Sequence, residues 1–244
     1  MGKITTAAGV SIITCTNRPQ YFNHILHNFQ RQHDLLKELI IIINNDQMNL
    51  AAYRLRARKV ANVRVYQVNE KTSLGQCLNC GIAKTKFPYI AKFDDDDYYS
   101  PFYLKEQMKA LRLTKSDVVG KHACLVYLAA AHKLLIRSPH ERNKEVKFVQ
   151  GGTILFHRRV LKRVQFPDRS LGEDVAFLRA CNQHGFKTFA TTPFNYVYIR
   201  RKNKQSHTWR VKDDFYLKGS QLLSLTRDFR AIAKTESIKK PPRR

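Results

Sequence analysis

Four consecutive carboxylates, Asp94-Asp95-Asp96-Asp97, follow the apolar run at 89–93 and precede Ser100-Pro101. Carboxylates packed side by side repel one another, so keeping them ionised calls for a cation among them. Hard oxygen donors of this kind suit Mg2+ or Mn2+, and the stretch reads as a metal site rather than a solvated acidic turn. Competing owners fail on spacing. An EF-hand loop opening at Asp94 needs Gly at its sixth position and Glu at its twelfth, where the chain has Tyr99 and Lys105. A phosphatase built on Asp-x-Asp wants Thr or Val two residues after the second Asp, and Tyr98 stands there. Cys77-x-x-Cys80 lies inside a predicted helix with Cys77 on its apolar face, and no second pair completes a zinc site. No G-x-S-x-G elbow offers a nucleophilic serine.

The carboxylates need elements to hold them. Residues 10–14 form a β-branched run that ends in Thr14-Cys15-Thr16-Asn17-Arg18-Pro19, and Tyr21, Phe22, Ile25, Leu26 and Phe29 then recur at helical spacing. Residues 39–43 read as a buried strand ending at Asn44-Asn45-Asp46, and residues 63–68 as a third strand. A helix is expected over 73–84, before the strand at 89–93 that leads into the acidic run. This order predicts an α/β domain with a largely parallel sheet. Ligands of such sheets bind outside the carboxyl ends of the strands, where the polar clusters at 14–18, 44–46 and 94–97 all fall.

Beyond residue 100 the pattern is less regular. A helix is expected over 101–113, strands at 118–119 and 124–128, and a long mobile connection over 132–147. Gly151-Gly152 suggests a close backbone approach leading into a strand, followed by a short helix over 157–164. Glu173-Asp174 opens a helix carrying Val175, Phe177, Leu178 and Cys181, where carboxylates are favourable on capping grounds alone. A strand is expected at 187–191 and helical apolar spacing runs over 215–229. Residues 200–244 hold fourteen Lys and Arg against four Asp and Glu, ending in a basic tail.

Composition narrows the class. An apolar content of 43% is that of a globular chain, and no run is long enough to cross a membrane as a helix. The N-terminus lacks the pattern of a signal peptide, and five Cys without a regular framework suit a reducing compartment. A cytoplasmic protein is expected, with peripheral contact at the inner membrane face left open. The net charge of +25 names a preference for anionic partners: nucleic acid, an anionic membrane face or an anionic small substrate. No zinc finger, RNA-recognition motif or Walker loop accompanies it. An Asp-x-Asp metal site beside a sheet edge in an anion-seeking protein is satisfied by a nucleoside diphosphate bridged by a divalent cation.

The same residues resemble the family 2 nucleotide-sugar glycosyltransferases of the GT-A fold. Members show P-T-Y-N-R-P after the first strand, where this chain has Thr14-Cys15-Thr16-Asn17-Arg18-Pro19, and D-D-G-S after the second, here Asn44-Asn45-Asp46-Gln47. Their R-N-x-G-I helix corresponds to Leu78-Asn79-Cys80-Gly81-Ile82, and their D-x-D-D to Asp94 through Asp97. Further on, G-G-x-x-x-x-R and a Glu-Asp pair are matched by Gly151-Gly152 through Arg158 and by Glu173-Asp174. The likeness covers roughly residues 8 to 209.

The resemblance implies a GT-A domain over 1–210, with a nucleotide-binding half (1–100) and an acceptor-binding half (101–210), then a basic C-terminal helix and tail over 211–244. It assigns Thr14, Thr16 and Asn44 to the nucleobase, Asp95 to the ribose with Asp94 in support, and Asp96 to Mn2+ or Mg2+ on the diphosphate. Arg18, Lys71 and Asn79 join the donor site. His207 is open as a second metal ligand, a lone surface histidine being equally consistent. Asp174 becomes the catalytic base that accepts the proton of an attacking hydroxyl, with Glu173 beside it ordering the acceptor. The implied reaction is inverting transfer of a sugar, UDP-sugar favoured, to a hydroxyl acceptor, with an anionic glycan or polymer among the candidates. Asn44 departs from the Asp that commonly contacts uracil, and Leu78 and Ser73 stand where relatives often carry a basic residue. The competing reading is a basic module binding nucleic acid or another polyanion around a structural cation, although nucleic acid is not the expected partner.

Overall fold

Apolar runs too short for helices but rich in Ile and Val build the sheet. The strands β1 (Val10–Thr16), β2 (Lys37–Ile43), β3 (Val63–Gln67) and β4 (Tyr89–Lys92) lie side by side and parallel. β2 is buried on both faces from Leu39 to Ile43, as an interior parallel strand requires. The computed structural model describes residues 9–33, 35–203 and 211–236.

Parallel neighbours need a crossover between them. Helix α1 (Phe22–Gln30) connects β1 to β2, α2 (Leu50–Ala57) connects β2 to β3, and α3 (Leu74–Ala83) connects β3 to β4. The apolar spacing does not point to α2. Its face is broken by Arg54 and Arg56, and only Ala57 is fully buried, so it draws on Leu50 and Tyr53 packed against the core and on the Asn49 cap, whose side chain accepts from Ala52 N–H at 3.2 Å.

After the two-residue strand β5 (Tyr98–Tyr99) and helix α4 (Tyr103–Thr114) come β6 (Val118–Gly120), β7 (Cys124–Leu128), β8 (Lys133–Arg137), β9 (Lys144–Glu145) and β10 (Leu155–His157). Helix α5 (Glu173–Gln183), β11 (Thr188–Ala190) and β12 (Tyr196–Arg200) follow. The main sheet runs β3-β2-β1-β4-β10-β6-β11-β9, and it is mixed, because β10 and β9 run antiparallel to their neighbours. Helices α1 and α4 pack on one face through Phe22, Ile25, Leu104 and Met108. Helices α3 and α5 pack on the other through Cys77, Leu78, Phe177 and Cys181.

The chain after residue 210 departs from expectation. Residues 215–229 are not one helix: a single turn, α6 (Asp214–Leu217), leads into β13 (Ser220–Leu225), and a last turn, α7 (Arg230–Ala233), follows. β13 pairs antiparallel with β8 in a second sheet ordered β13-β8-β7-β12-β5. Apolar residues at 215, 217, 222, 223 and 225 fit a helical stripe, but backbone pairing to β8 decides the outcome. The segment is therefore part of the second sheet rather than an appendage. Residues 132–147, expected as a mobile connection, instead supply β8 and β9. A buried Asn195 ties the end of the described chain down, donating to Thr235 O at 2.9 Å and accepting from Thr235 N–H at 3.0 Å.

Candidate active site

β4 delivers the acidic run to the carboxyl edge of the sheet, and the four aspartates then divide by direction. Asp97 turns inward: its carboxylate accepts from Tyr196 Oη at 2.5 Å and Ile199 N–H at 3.0 Å. Its carbonyl accepts from His24 and Asn28 of α1. Burial, with Asp96 and Asp94 adding, holds the Asp97 carboxyl well above the usual carboxylate range. It is a structural pin between β12 and α1.

Asp95 is also buried, accepting from Thr16 Oγ1 at 2.6 Å and Arg18 Nε at 3.1 Å. Burial and the neighbouring Asp96 push it up to about 6 against the pull of Arg18 and Thr16. Asp94 and Asp96 reach the cleft. Asp94 pairs with Lys92 Nζ at 2.5 Å, while Asp96 is held by Arg18 at 3.0 Å and by Arg201. Both guanidiniums also lie on the ring of Tyr21, at 4.7 Å for Arg18 and 5.3 Å for Arg201.

The repulsion among the four aspartates, expected to call for a cation, is met by the protein's own charges. Lys92, Arg18 and Arg201 supply three cations to the four aspartates, and Asp97 is compensated by hydrogen bonds. Repulsion alone therefore does not demand a metal. Among the described residues no group of three His, Cys, Asp or Glu converges as a metal site, and His207 lies outside those residues.

The loops expected to form one edge do meet. Asn45 Nδ2 donates to Asn17 O at 2.9 Å, and Asn44 N–H donates to Thr16 O at 3.1 Å. Asp46 accepts from Asn69 Nδ2 and Glu70 N–H, both at 3.2 Å, which brings the turn bearing Lys71 to the same edge. Thr14 is buried on β1. Asn79 stands apart: its amide donates to Phe166 O at 2.8 Å and accepts from Phe166 N–H at 3.2 Å. It clamps the segment before α5 onto α3.

Glu173 and Asp174 arrive from the far side, at the first turn of α5. A Cβ at Gly151 would lie 2.0 Å from Asp174 Oδ2, and one at Gly152 would lie 2.6 Å from Asp94 Oδ2. The absence of side chains at both glycines lets the turn lie close against both carboxylates. Tyr99 fixes it by donating to Gly152 O at 2.6 Å while accepting from Asp94 N–H at 2.7 Å. Burial works against the Lys92 ammonium, but Asp94, Glu173 and Asp174 together hold it above the ordinary lysine range. Lys92 thus sits electrostatically between the two carboxylate groups. Sequence reasoning passed over it. The available signal was a cation inside the apolar strand that carries the acidic run.

Burial pushes the Glu173 carboxyl up to about 7, with Asp174 and Asp94 adding and Lys92 opposing. The folded state then binds this proton more tightly than the unfolded chain, whose carboxyl sits near 4.5. The stability it contributes is fully present below pH 4.5 and lost as pH rises through about 7. Glu173→Gln is expected to flatten that fall, and urea midpoints of both proteins across this range check it; parallel pH curves would exclude the coupling.

The model of glycosyl transferase family 2 matches residues 11–165. The chain belongs to glycosyltransferase family 2. Solved structures agree on the GT-A fold. S. aureus TarS 1–349 in complex with UDP-GlcNAc superposes with a TM-score of 0.65 at 18% identity, over 86% of this chain and 64% of that one. The Pyrobaculum calidifontis mannosyltransferase PcManGT in complex with GDP-Man and Mn2+ gives 0.64 at 16% identity, over 82% and 59%. This family 2 chain thus spans under two thirds of those neighbours, and 36% of the longer TarS chain. No curated protein sequence matches it significantly. No helix among the described residues is long and apolar enough to cross a membrane.

Proposed function

We propose that this family 2 glycosyltransferase moves a sugar from a nucleoside-diphosphate sugar, UDP-sugar favoured, to an acceptor hydroxyl with inversion. The carrying observation is that Asp174 lies against Gly151 and Asp94 against the adjacent Gly152. It sets a donor edge of strand-end loops against a carboxylate from α5.

Asp174 is the base in this reading. The acceptor oxygen forms a bond to the anomeric carbon, the carbon–diphosphate oxygen bond breaks, and the leaving oxygen takes the electron pair. Asp174 takes the hydroxyl proton. Direct in-line attack inverts the anomeric centre. Glu173, buried beside Asp174 with its carboxyl pushed up to about 7, orders the acceptor. Thr14, Thr16 and Asn44 belong to the base end and Asp95 to the ribose in this reading, with Thr14, Thr16 and Asp95 buried behind the pocket wall. Asp94, held by Lys92, supports the pocket, and Lys71 reaches in from the third loop.

Asp96 presents a carboxylate to the cleft, where Arg18 and Arg201 already engage it, so a divalent cation would take its place there by displacing a guanidinium. Asp96, with His207 as the second candidate, would hold Mn2+ or Mg2+. When bound, such an ion stabilises charge on the leaving diphosphate. Arg18 and Arg201 add positive charge to the same group. The PcManGT complex with GDP-Man and Mn2+ supports this reading. The basic surface favours an anionic acceptor such as a phosphate-bearing polymer, or an anionic membrane as docking partner. Family membership weighs against the nucleic-acid module.

Thermal stability with UDP, GDP, CDP and dTDP, each with and without Mn2+, tests the donor site. One nucleotide at about a hundredfold over its Kd should add roughly 2.7 kcal/mol. That gain should need the metal and vanish in Asp96→Asn. No shift with any nucleotide would return the protein to the polyanion-binding class.

A further inference from the structure

Independently of the donor chemistry, β13 has a composition the catalytic site does not explain. Five of the ten exposed large apolar side chains among the described residues fall between positions 215 and 225: Phe215, Leu217, Leu222, Leu223 and Leu225. Leu225 is 68% exposed and Leu222 56%, on the outermost strand of its sheet. Scattered surface leucines need no explanation, whereas a cluster of this density marks an interaction surface.

The surrounding charge narrows the partner. Lys133 lies opposite Leu225 in the ladder and Arg137 opposite Ser220, and the Arg137 guanidinium covers the Phe215 ring at 4.3 Å. Lys212, Lys218 and Arg227 are also on or beside the surface. Asp213 is engaged by Arg200 and Asp228 by Arg230, leaving Asp214 as an exposed acid at the edge of the patch. A second copy pairing strand to strand is disfavoured twice. The ladder is irregular between Leu222 and Ser224, the kind of defect that blunts edge pairing, and two copies would bring like charges together.

Leucines ringed by Lys and Arg, on a chain of net charge +25, match the boundary between anionic headgroups and acyl chains. We propose that the β13 edge, with Leu222, Leu223 and Leu225 inserting and Lys133, Lys218 and Arg227 at headgroup level, is a docking surface for an anionic lipid bilayer.

Flotation of the full chain with vesicles of phosphatidylcholine mixed with phosphatidylglycerol, against phosphatidylcholine alone, tests this. Binding is expected on the anionic vesicles alone. The double variant Leu223→Ser/Leu225→Ser, which leaves every charge in place, should weaken it by about tenfold or more, since two leucines lose their burial. Lys218→Gln/Arg227→Gln should weaken it too, and raised salt should then abolish it. Thermal unfolding of each variant separates lost docking from lost folding. Three results would overturn the proposal: no vesicle binding, binding untouched by the leucine changes, or a concentration-dependent dimer that those changes dissolve.

Discussion

Asp174→Asn lowers turnover by about 10² to 10⁴-fold while leaving nucleotide binding and fold stability in place. The substitution keeps the shape of the side chain, and an Asn oxygen still accepts the Val175 N–H that Asp174 Oδ1 accepts at 2.7 Å. What disappears is the ability to take a proton. In the proposed reaction Asp174 is the base because it is the more exposed of the pair, Glu173 being 5% exposed with its carboxyl pushed up to about 7 by burial. Steady-state turnover of the donor identified by the thermal-shift screen checks the expectation, with the screen repeated on the variant. Full turnover in a folded, nucleotide-binding Asp174→Asn protein would remove Asp174 from the mechanism.

Lys92→Met moves the acidic limb of the pH–rate profile upward by about 1–3 units, the range by which one nearby charge shifts a carboxyl group. The direction follows from its neighbours. The ammonium opposes the burial that raises Glu173, so its removal makes that carboxyl, which orders the acceptor in the proposed reaction, hold its proton to higher pH. Turnover at neutral pH then falls, and it recovers as the medium becomes more alkaline. Lys92→Arg restores the cation and should return the limb most of the way, although the wider guanidinium must fit a site built around a 2.5 Å contact with Asp94. Profiles of kcat/KM for the three proteins decide the point. A uniform loss at all pH values would mean that Lys92 only supports the fold.

The motifs at 14–18, 44–46, 94–97 and 173–174 were legible because each is local. Strand-end loops, a glycine pair and a capped helix all leave their pattern in a few adjacent letters, and the alternation of strands and helices told which edge would collect them. The first four parallel strands, α1, α3 and α4 were readable for the same reason, as their apolar periodicity is strong and continuous. Helix α2 was not, because arginines interrupt its stripe and an Asn cap helps sustain it.

What the sequence by itself determined is the family, the α/β class and the four loops that make the cleft, since these rest on contiguous residues and a repeating hydrophobic period. Only the tertiary structure decided how the four aspartates divide: Asp97 became a pin because β12 delivers Tyr196 and Ile199 to it, and Asp96 became the arginine-held carboxylate because Arg201, 105 positions away, arrives from the end of the same strand. It likewise placed Lys92 between two carboxylate groups and turned residues 220–225 into a sheet edge. These outcomes depend on partners distant in the chain. Identical Asp letters carry no mark of which neighbour folding will bring, and burial and the nearest cation, not residue type, set what each one does.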